Sequence, residues 1–253
     1  MSPPTPQQQV EIFHLLFLRH LESRLDKSLY ALKGGCNLRF FMRSIRYSED
    51  MDLDIKIVAT GTLQKKVNAL LTARPFQEAL RAKGIEIQQH SSPKQTDTTQ
   101  RWKLQLKMAG ASLPVPTKIE FSRRGLQAGV EFGPVEPEII REYQLYQTLC
   151  SHYSKDAACR QKLEALVGRS EMQARDLFDL KLLFDLGARP FSLEKPLVEK
   201  LRTSMDAITQ IDFAIFKSQV VAYLTPAYQD YYTSPTVWNQ INADVKQNIL
   251  GLL

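Results

Sequence analysis

Val10, Phe13, Leu16, Phe17, His20 and Leu21 recur at three- to four-residue spacing. That period predicts a helix over 8–31, ended by the break Lys33-Gly34-Gly35. A helix-like turn follows at 37–43. The pattern then changes to strict alternation: Asp50, Asp52 and Asp54 interleave with Met51, Leu53 and Ile55, which predicts a strand over 48–58. A second helical period covers 62–83 and closes at Gly84, and Ile85-Glu86-Ile87 reads as a short strand. SSPKQTDTTQ at 91–100 lacks any period and predicts a polar turn. Over 101–108, Trp102, Leu104, Leu106 and Met108 alternate with Arg101, Lys103, Gln105 and Lys107. The next strand, 117–123, buries Ile119 and Phe121 and turns Lys118, Glu120 and Ser122 to its polar face.

Gly133-Pro134-Val135-Glu136-Pro137 interrupts this alternation. Beyond it the spacing predicts helices over 138–152, 156–168, 171–186, 194–209, 211–224 and 236–250, punctuated by Gly187, Pro190, Pro226 and Pro235. The expected class is α+β: a mixed sheet with flanking helices over 1–135, then a helical bundle over 136–253. No internal repeat or low-complexity tract is visible.

Composition narrows the class without selecting a function. At 253 residues, 43% hydrophobic, the chain can bury a substantial core, and 24% charged residues is ordinary for a globular protein. No apolar run approaches the roughly 20 residues needed to span a bilayer. The opening MSPPTPQQQVEIFHLLFLRHLE has no basic leader region and reads as a short tail before an amphipathic helix, so a cytoplasmic protein without membrane attachment is expected. Cys36, Cys150 and Cys159 fit neither disulfide nor metal spacing, which points to a reducing compartment. His14, His20, His90 and His152 are scattered and read as surface or helix-face residues.

The charge distribution adds more. Net charge is +6; residues 1–140 hold 20 Lys and Arg against 14 Asp and Glu, and residues 141–253 hold 13 against 13. The whole surplus lies in the part that carries the aspartate strand. A basic surface around an acidic pocket suits a polyanionic substrate such as a nucleotide or RNA.

Three carboxylates on one strand face repel one another unless a cation sits among them. The face is either simply solvated or built around a divalent ion. Transfer of a nucleotidyl group uses two metal ions roughly 3.5–4 Å apart. Asp50 and Asp52 supply two carboxylates from one strand, and Glu120 a third if its strand lies alongside. The amides of Gly34, Gly35 and Cys36, at a helix start, can cradle phosphate. Arg39, Arg46 and Lys118 are candidate cations around such a pocket.

At these residues the chain resembles a family. ALKGGCNLRF followed by RYSEDMDLD is similar to the nucleotide-binding text of the AbiEii/AbiGii-type nucleotidyltransferase toxins, within the DNA-polymerase-beta-like superfamily. Arg46, Ser48, Asp50, Met51 and Asp52 match its Arg-x-Ser/Thr-x-Asp-h-Asp strand, and Glu120 in TKIEFSRR matches its third carboxylate. Lys162 to Arg169 resembles the family's helix with a nucleotide-reaching lysine, and Ala174–Leu180 its Arg-Asp-x-x-Asp-Leu helix. Two positions depart: Cys36 replaces a hydroxyl residue, and Lys181 stands where an aromatic is common. The likeness runs over roughly 8–187.

The resemblance implies a nucleotidyltransferase acting as a toxin, in a type IV toxin–antitoxin or phage-defence system. It would move NMP from an NTP onto an acceptor hydroxyl, with RNA and the tRNA 3′ end as the expected acceptor and an antitoxin as a partner. Asp50, Asp52 and Glu120 would hold Mg²⁺ or Mn²⁺, with Gly34, Gly35, Cys36, Arg39, Arg46, Lys118 and Arg169 on the nucleotide. Lys162 and Asp176 would complete the site from the helical half, across a cleft between the halves. The alternatives are a catalytically weak NTP- or RNA-binding protein, and a transferase for a protein or small-molecule acceptor. On residue chemistry alone, Asp176 and Asp179 read as a solvated helix face with an Arg175–Asp179 pair. Tyr223, Tyr228, Tyr231, Tyr232 and Trp238 either stack bases or pack helices.

Overall fold

Alternation in the first half builds a seven-stranded mixed sheet, in the order β3-β4-β5-β2-β1-β7-β6. The computed structural model describes residues 4–208 and 210–253. Its strands are β1 (Tyr30–Lys33), β2 (Asp50–Ile55), β3 (Ile85–Gln95), β4 (Thr99–Met108), β5 (Val115–Ser122), β6 (Val130–Pro134) and β7 (Leu149–Tyr153). Its α-helices are α1 (Pro6–Glu22), α2 (Gly34–Phe41), α3 (Thr60–Leu71), α4 (Arg74–Arg81), α5 (Pro137–Glu142), α6 (Lys155–Gly168), α7 (Ala174–Asp185), α8 (Lys195–Ile208), α9 (Phe213–Gln219), α10 (Pro226–Tyr232) and α11 (Pro235–Leu250). The start of the expected N-terminal tail and the expected helix end at Thr209 lie outside the described residues.

The chain forms two compact units. The first runs to Arg43 and resumes over Tyr47–Tyr153; the second takes Ser44–Arg46 and Ser154–Leu253. The division falls at Tyr153/Ser154, where 135/136 was expected, because Leu149–Tyr153 is a strand and not the end of a helix. β7 pairs with β1 in parallel and with β6 antiparallel, which ties it to the sheet.

In the first unit, Thr5 caps α1 in a reciprocal box with Gln8, and Pro6 occupies the first turn. Phe13 and Phe17 of α1 pack on Phe76 of α4. Met51, Leu53, Ile55, Trp102, Leu104, Ile119 and Phe121 join this core from β2, β4 and β5. β2, β4 and β5 therefore bury their apolar sets and turn their charged sets to the other face.

Several boundaries differ from expectation for local reasons. The helix expected over 8–31 stops at Glu22, and Tyr30–Lys33 is a strand inserted between β2 and β7. The diglycine does not end a helix but begins α2, with Lys33 at the N-cap. Pro75 sits in the first turn of α4 and splits the 62–83 segment in two. β3 runs on to Gln95 through register shifts, so only the middle of 91–100 is turn. Gly133 and Pro134 lie inside β6, at the sheet edge, where a missing ladder donor is tolerated.

In the second unit, Phe216 stacks on Trp238 at 4.3 Å between ring centroids, and the Trp238 indole donates to the Ile211 carbonyl. Tyr232 meets Phe178 edge-on. These two rings are packing residues, whereas Tyr228 and Tyr231 stay exposed.

Candidate active site

The strand register places the charged side chains in rows across the sheet. Lys33 pairs with Asp52, Asp52 with Glu120, and Glu120 with Arg101, giving one row across β1, β2, β5 and β4. The next row pairs Asp50 with Lys118 and Lys118 with Lys103. Directly paired residues share a face. Asp50, Asp52 and Glu120 therefore stand together on the polar face, on adjacent parallel strands.

Their charges are balanced by neighbours. Lys118 Nζ lies 2.8 Å from Asp50 Oδ2, and Arg101 Nε donates to Glu120 Oε2 at 2.6 Å. Burial pushes the half-buried Asp52 carboxyl above the usual carboxylate range; Lys118 and Lys33 pull it back, and Glu120 and Asp50 push it further up. Burial alone would lower the Lys118 ammonium, but its bond to Asp50 and the charges of Asp52 and Glu120 raise it. Asp50, Asp52, Glu120, Lys33 and Lys118 thus act on one another through a shared field.

The diglycine turn abuts this row. Gly34 has φ +67°, and a Cβ there would lie 3.2 Å from Asp52 Oδ2. Glycine is required both for the left-handed backbone and for the closeness of the carboxylate. Lys33 makes no side-chain capping bond at the start of α2. The first-turn amides of Gly34, Gly35 and Cys36 are helix-start donors beside Asp52.

Asp54, the third aspartate, has a different role from the other two. Its Oδ1 accepts from Lys33 Nζ at 2.6 Å and its Oδ2 from the Tyr153 hydroxyl at 2.7 Å, and it is buried. It holds Lys33 in place beside the turn. Lys33 and Arg101 are the two site cations that sequence spacing did not single out, although Arg101 stood on the polar face of its strand.

Other expected ligands have different partners. The Cys36 thiol does not face a phosphate: Cys36 and Phe40 share the buried face of α2, and burial pushes the thiol pKa well up. Of Cys36, only the backbone amide stands at the helix start beside Asp52. Arg39 is buried and gives its Nε and Nη2 to the two oxygens of Glu11 at 2.8 and 3.0 Å. It ties α2 to α1 and does not border a phosphate pocket. His14 and His152 are buried, not surface residues.

Arg46 belongs to the second unit and enters a separate charge network there. Its Nη2 donates to Asp179 Oδ2 at 2.8 Å and its Nε to Oδ1 at 3.1 Å. Lys162 Nζ bridges Asp179 Oδ2 at 2.6 Å and Asp176 Oδ1 at 2.9 Å, and Arg169 Nη1 lies 3.1 Å from Asp176 Oδ2. That last pair is an ion pair without hydrogen-bond alignment, since Asp176 Oδ2 has no hydrogen-bond partner. Asp176 and Asp179 are 0% exposed. The solvated helix face expected for them is therefore a buried network, because Arg46 reaches it from 133 residues away in sequence. Burial would raise the Asp179 carboxyl, but Arg46 and Lys162 outweigh it and hold it below its ordinary value. Burial likewise lowers the Lys162 ammonium, and Asp179 and Asp176 more than restore it.

Among the described residues, no three His, Cys, Asp or Glu side chains converge on one metal position. Asp50 and Glu120 lean onto Lys118 and Arg101 instead. The donor set still fits a hard divalent cation in kind, with the carboxylates of Asp50, Asp52 and Glu120 on one sheet face.

A mixed sheet with paired strand carboxylates beside a diglycine helix start is the architecture of a nucleotidyltransferase. A family model for the nucleotidyl transferase AbiEii toxin of type IV toxin–antitoxin systems matches residues 16–233. The chain belongs to that family, and it is a nucleotidyltransferase. No curated protein matches it by sequence. Among solved structures it is similar to JHP933 from Helicobacter pylori, at 17% identity and TM-score 0.60, over 99% of this chain and 96% of that one. It is also similar to MenT4, a nucleotidyltransferase toxin from Mycobacterium tuberculosis H37Rv, at 15% identity and TM-score 0.58, over 96% and 92%. At such identities the likeness concerns the fold. Among the described residues, no helix is long and apolar enough to cross a membrane.

Proposed function

We propose that this nucleotidyltransferase moves NMP from an NTP onto an acceptor hydroxyl, with Asp50, Asp52 and Glu120 as the ligands of Mg²⁺ or Mn²⁺. The observation that carries this reading is the row Lys33–Asp52–Glu120–Arg101 with Gly34 against Asp52. When bound, such an ion supplies Lewis-acid neutralisation of phosphate charge. The chain's own groups supply the rest. The amides of Gly34, Gly35 and Cys36 receive phosphate oxygens, while Lys33, Lys118 and Arg101 bring positive charge to the same face. No side-chain nucleophile is needed, since phosphoryl chemistry rests on positioning and charge stabilisation.

Lys162 and Asp176, which the family likeness ties to the reaction, are mutual partners in the second unit, with Arg169 on Asp176. In this reading the network holds the lysine charged and oriented. RNA, and the 3′ end of tRNA in particular, is the proposed acceptor; the cationic surplus of residues 1–140 supports a polyanion. The toxin–antitoxin setting of the family supports an antitoxin partner and a cytoplasmic site of action.

The test is transfer of label from each α-labelled NTP, with Mg²⁺, to total tRNA, protein extract or small-molecule pools, using wild type and Asp52→Ala. Label on tRNA with wild type alone supports the full reading. Label on protein or small molecules replaces the acceptor, and equal labelling by both proteins removes the site.

A further inference from the structure

Under the aspartate strand lies a buried polar relay that the transfer chemistry does not use. His14, on α1, is 0% exposed, and its Nε2 lies 2.9 Å from Thr117 Oγ1. The Thr117 hydroxyl donates to the Glu49 carbonyl at 2.7 Å. A hydroxyl has a single proton. Since Glu49 receives it, Thr117 can only accept from His14, and the imidazole proton must sit on Nε2. Nδ1 is then bare and faces the Cys36 thiol at 3.5 Å. The same sulfur lies 3.3 Å from the Asp50 carbonyl, which also accepts from Ser48 Oγ at 2.8 Å. Burial lowers the His14 pKa to about 3, so the imidazole stays neutral, while the single Cys36 S–H proton serves either Nδ1 or the Asp50 carbonyl.

Side chains from α1, α2 and β5 therefore converge on two successive carbonyls, Glu49 and Asp50, where the chain enters β2. A polar cluster in an apolar core costs stability unless every group is bonded. Here the bonds are spent on the backbone of one residue whose carboxylate faces the site. Groups that orient a ligand need placement within about 0.5 Å. Resting on the reading of Asp50 as an ion ligand, we infer that His14 is a positioning residue. Through Thr117, with the Cys36 sulfur packed against Nδ1 and the Asp50 carbonyl, it sets the backbone from which Asp50 projects.

The test compares full-length His14→Leu, His14→Gln and Thr117→Val with wild type. Mn²⁺ binding is read by electron paramagnetic resonance with a non-hydrolysable NTP, alongside kcat, KM and the unfolding midpoint. His14→Leu and Thr117→Val are expected to stay folded, weaken Mn²⁺ binding about tenfold or more and lower kcat, with KM for NTP little changed. His14→Gln, whose amide can still donate to Thr117, is expected to restore most of the loss. Nitrogen-15 spectra of the metal-free protein are expected to show the Nε2–H tautomer.

Mn²⁺ binding within about twofold of wild type in folded Thr117→Val would overturn the role, and so would an Nδ1–H tautomer. Thr117→Val preserves shape and carries the test if His14→Leu fails to fold. If Asp52→Ala is inactive while these variants match wild type, the positioning role alone is lost. If Asp52→Ala transfers as well as wild type, the ion site fails first and this role with it.

Discussion

Asp179→Ala probes the network of the second unit most sharply. In wild type, Arg46, Lys162 and Arg169 face two carboxylates, Asp176 and Asp179, both fully buried. The substitution leaves the three cations facing Asp176 alone. Arg46 and Lys162 are only 7% and 12% exposed, so water does little to compensate. Removing one member of a buried ion pair costs about 3–5 kcal/mol, and that loss is expected here. Replacing the members together is much less costly, because no charge is left buried and uncompensated. Arg46→Met/Lys162→Met/Asp179→Leu keeps the Arg169–Asp176 pair and is expected to be more stable than Asp179→Ala. Urea unfolding followed by Trp238 fluorescence, in a Trp102→Phe background, reports the second unit by itself. A loss under about 1 kcal/mol for Asp179→Ala, or a triple variant no more stable than the single one, would show that the buried charges are not held by this pairing.

The network also sets a pH window. The Asp179 carboxyl lies below its ordinary 3.8 in the folded chain, so its contribution is present above 3.8 and lost as pH falls through the folded value. The Lys162 ammonium lies above its ordinary 10.5, so its contribution is present below 10.5 and lost as pH rises through the folded value. Asp179→Ala should flatten acid unfolding below about pH 4, measured by the same fluorescence titration. Asp52 has the opposite sign: its raised carboxyl penalises the folded state as pH rises from 3.8 through the folded value. Asp52→Asn should therefore raise the neutral-pH unfolding midpoint of the first unit while abolishing transfer; a lower midpoint would contradict this. Gly34→Ala should cost about 1–2 kcal/mol from its left-handed backbone, and more transfer activity than stability, as its methyl crowds Asp52. Asp54→Ala should lower kcat by releasing Lys33, with partial recovery in Asp54→Asn; unchanged kinetics would deny Lys33 a part in the site.

Strands that alternate over six residues or more were legible in the sequence. The aspartate strand, β4 and β5 could be placed from their apolar sets, and with them Asp50, Asp52 and Glu120. β1 was hidden because Tyr30–Lys33 is four residues long and continues an apolar run that also suits a helix. β7 lay inside a segment with helical spacing and is a strand because β1 and β6 flank it. The partners of the site were harder to read. Lys33 and Arg101 meet the carboxylates only through strand order, which no local pattern encodes. Asp179 looked solvated because its counter-charge Arg46 comes from a remote segment, and Asp176 because Lys162 and Arg169 reach it from another helix and its C-cap. His14 carried no signal beyond helical spacing, and its role emerges only from the hydroxyl and thiol around it.

A divalent ion held by Asp50, Asp52 and Glu120 beside the diglycine turn is the feature on which the proposed transfer depends. Crystals grown with Mn²⁺ and a non-hydrolysable NTP test it directly through anomalous scattering. A Mn²⁺ peak is expected within bonding distance of all three carboxylates, with Glu120 drawn off Arg101 and the phosphates against Gly34 and Gly35. A peak elsewhere, or none while Asp50 and Glu120 remain on Lys118 and Arg101, would contradict it.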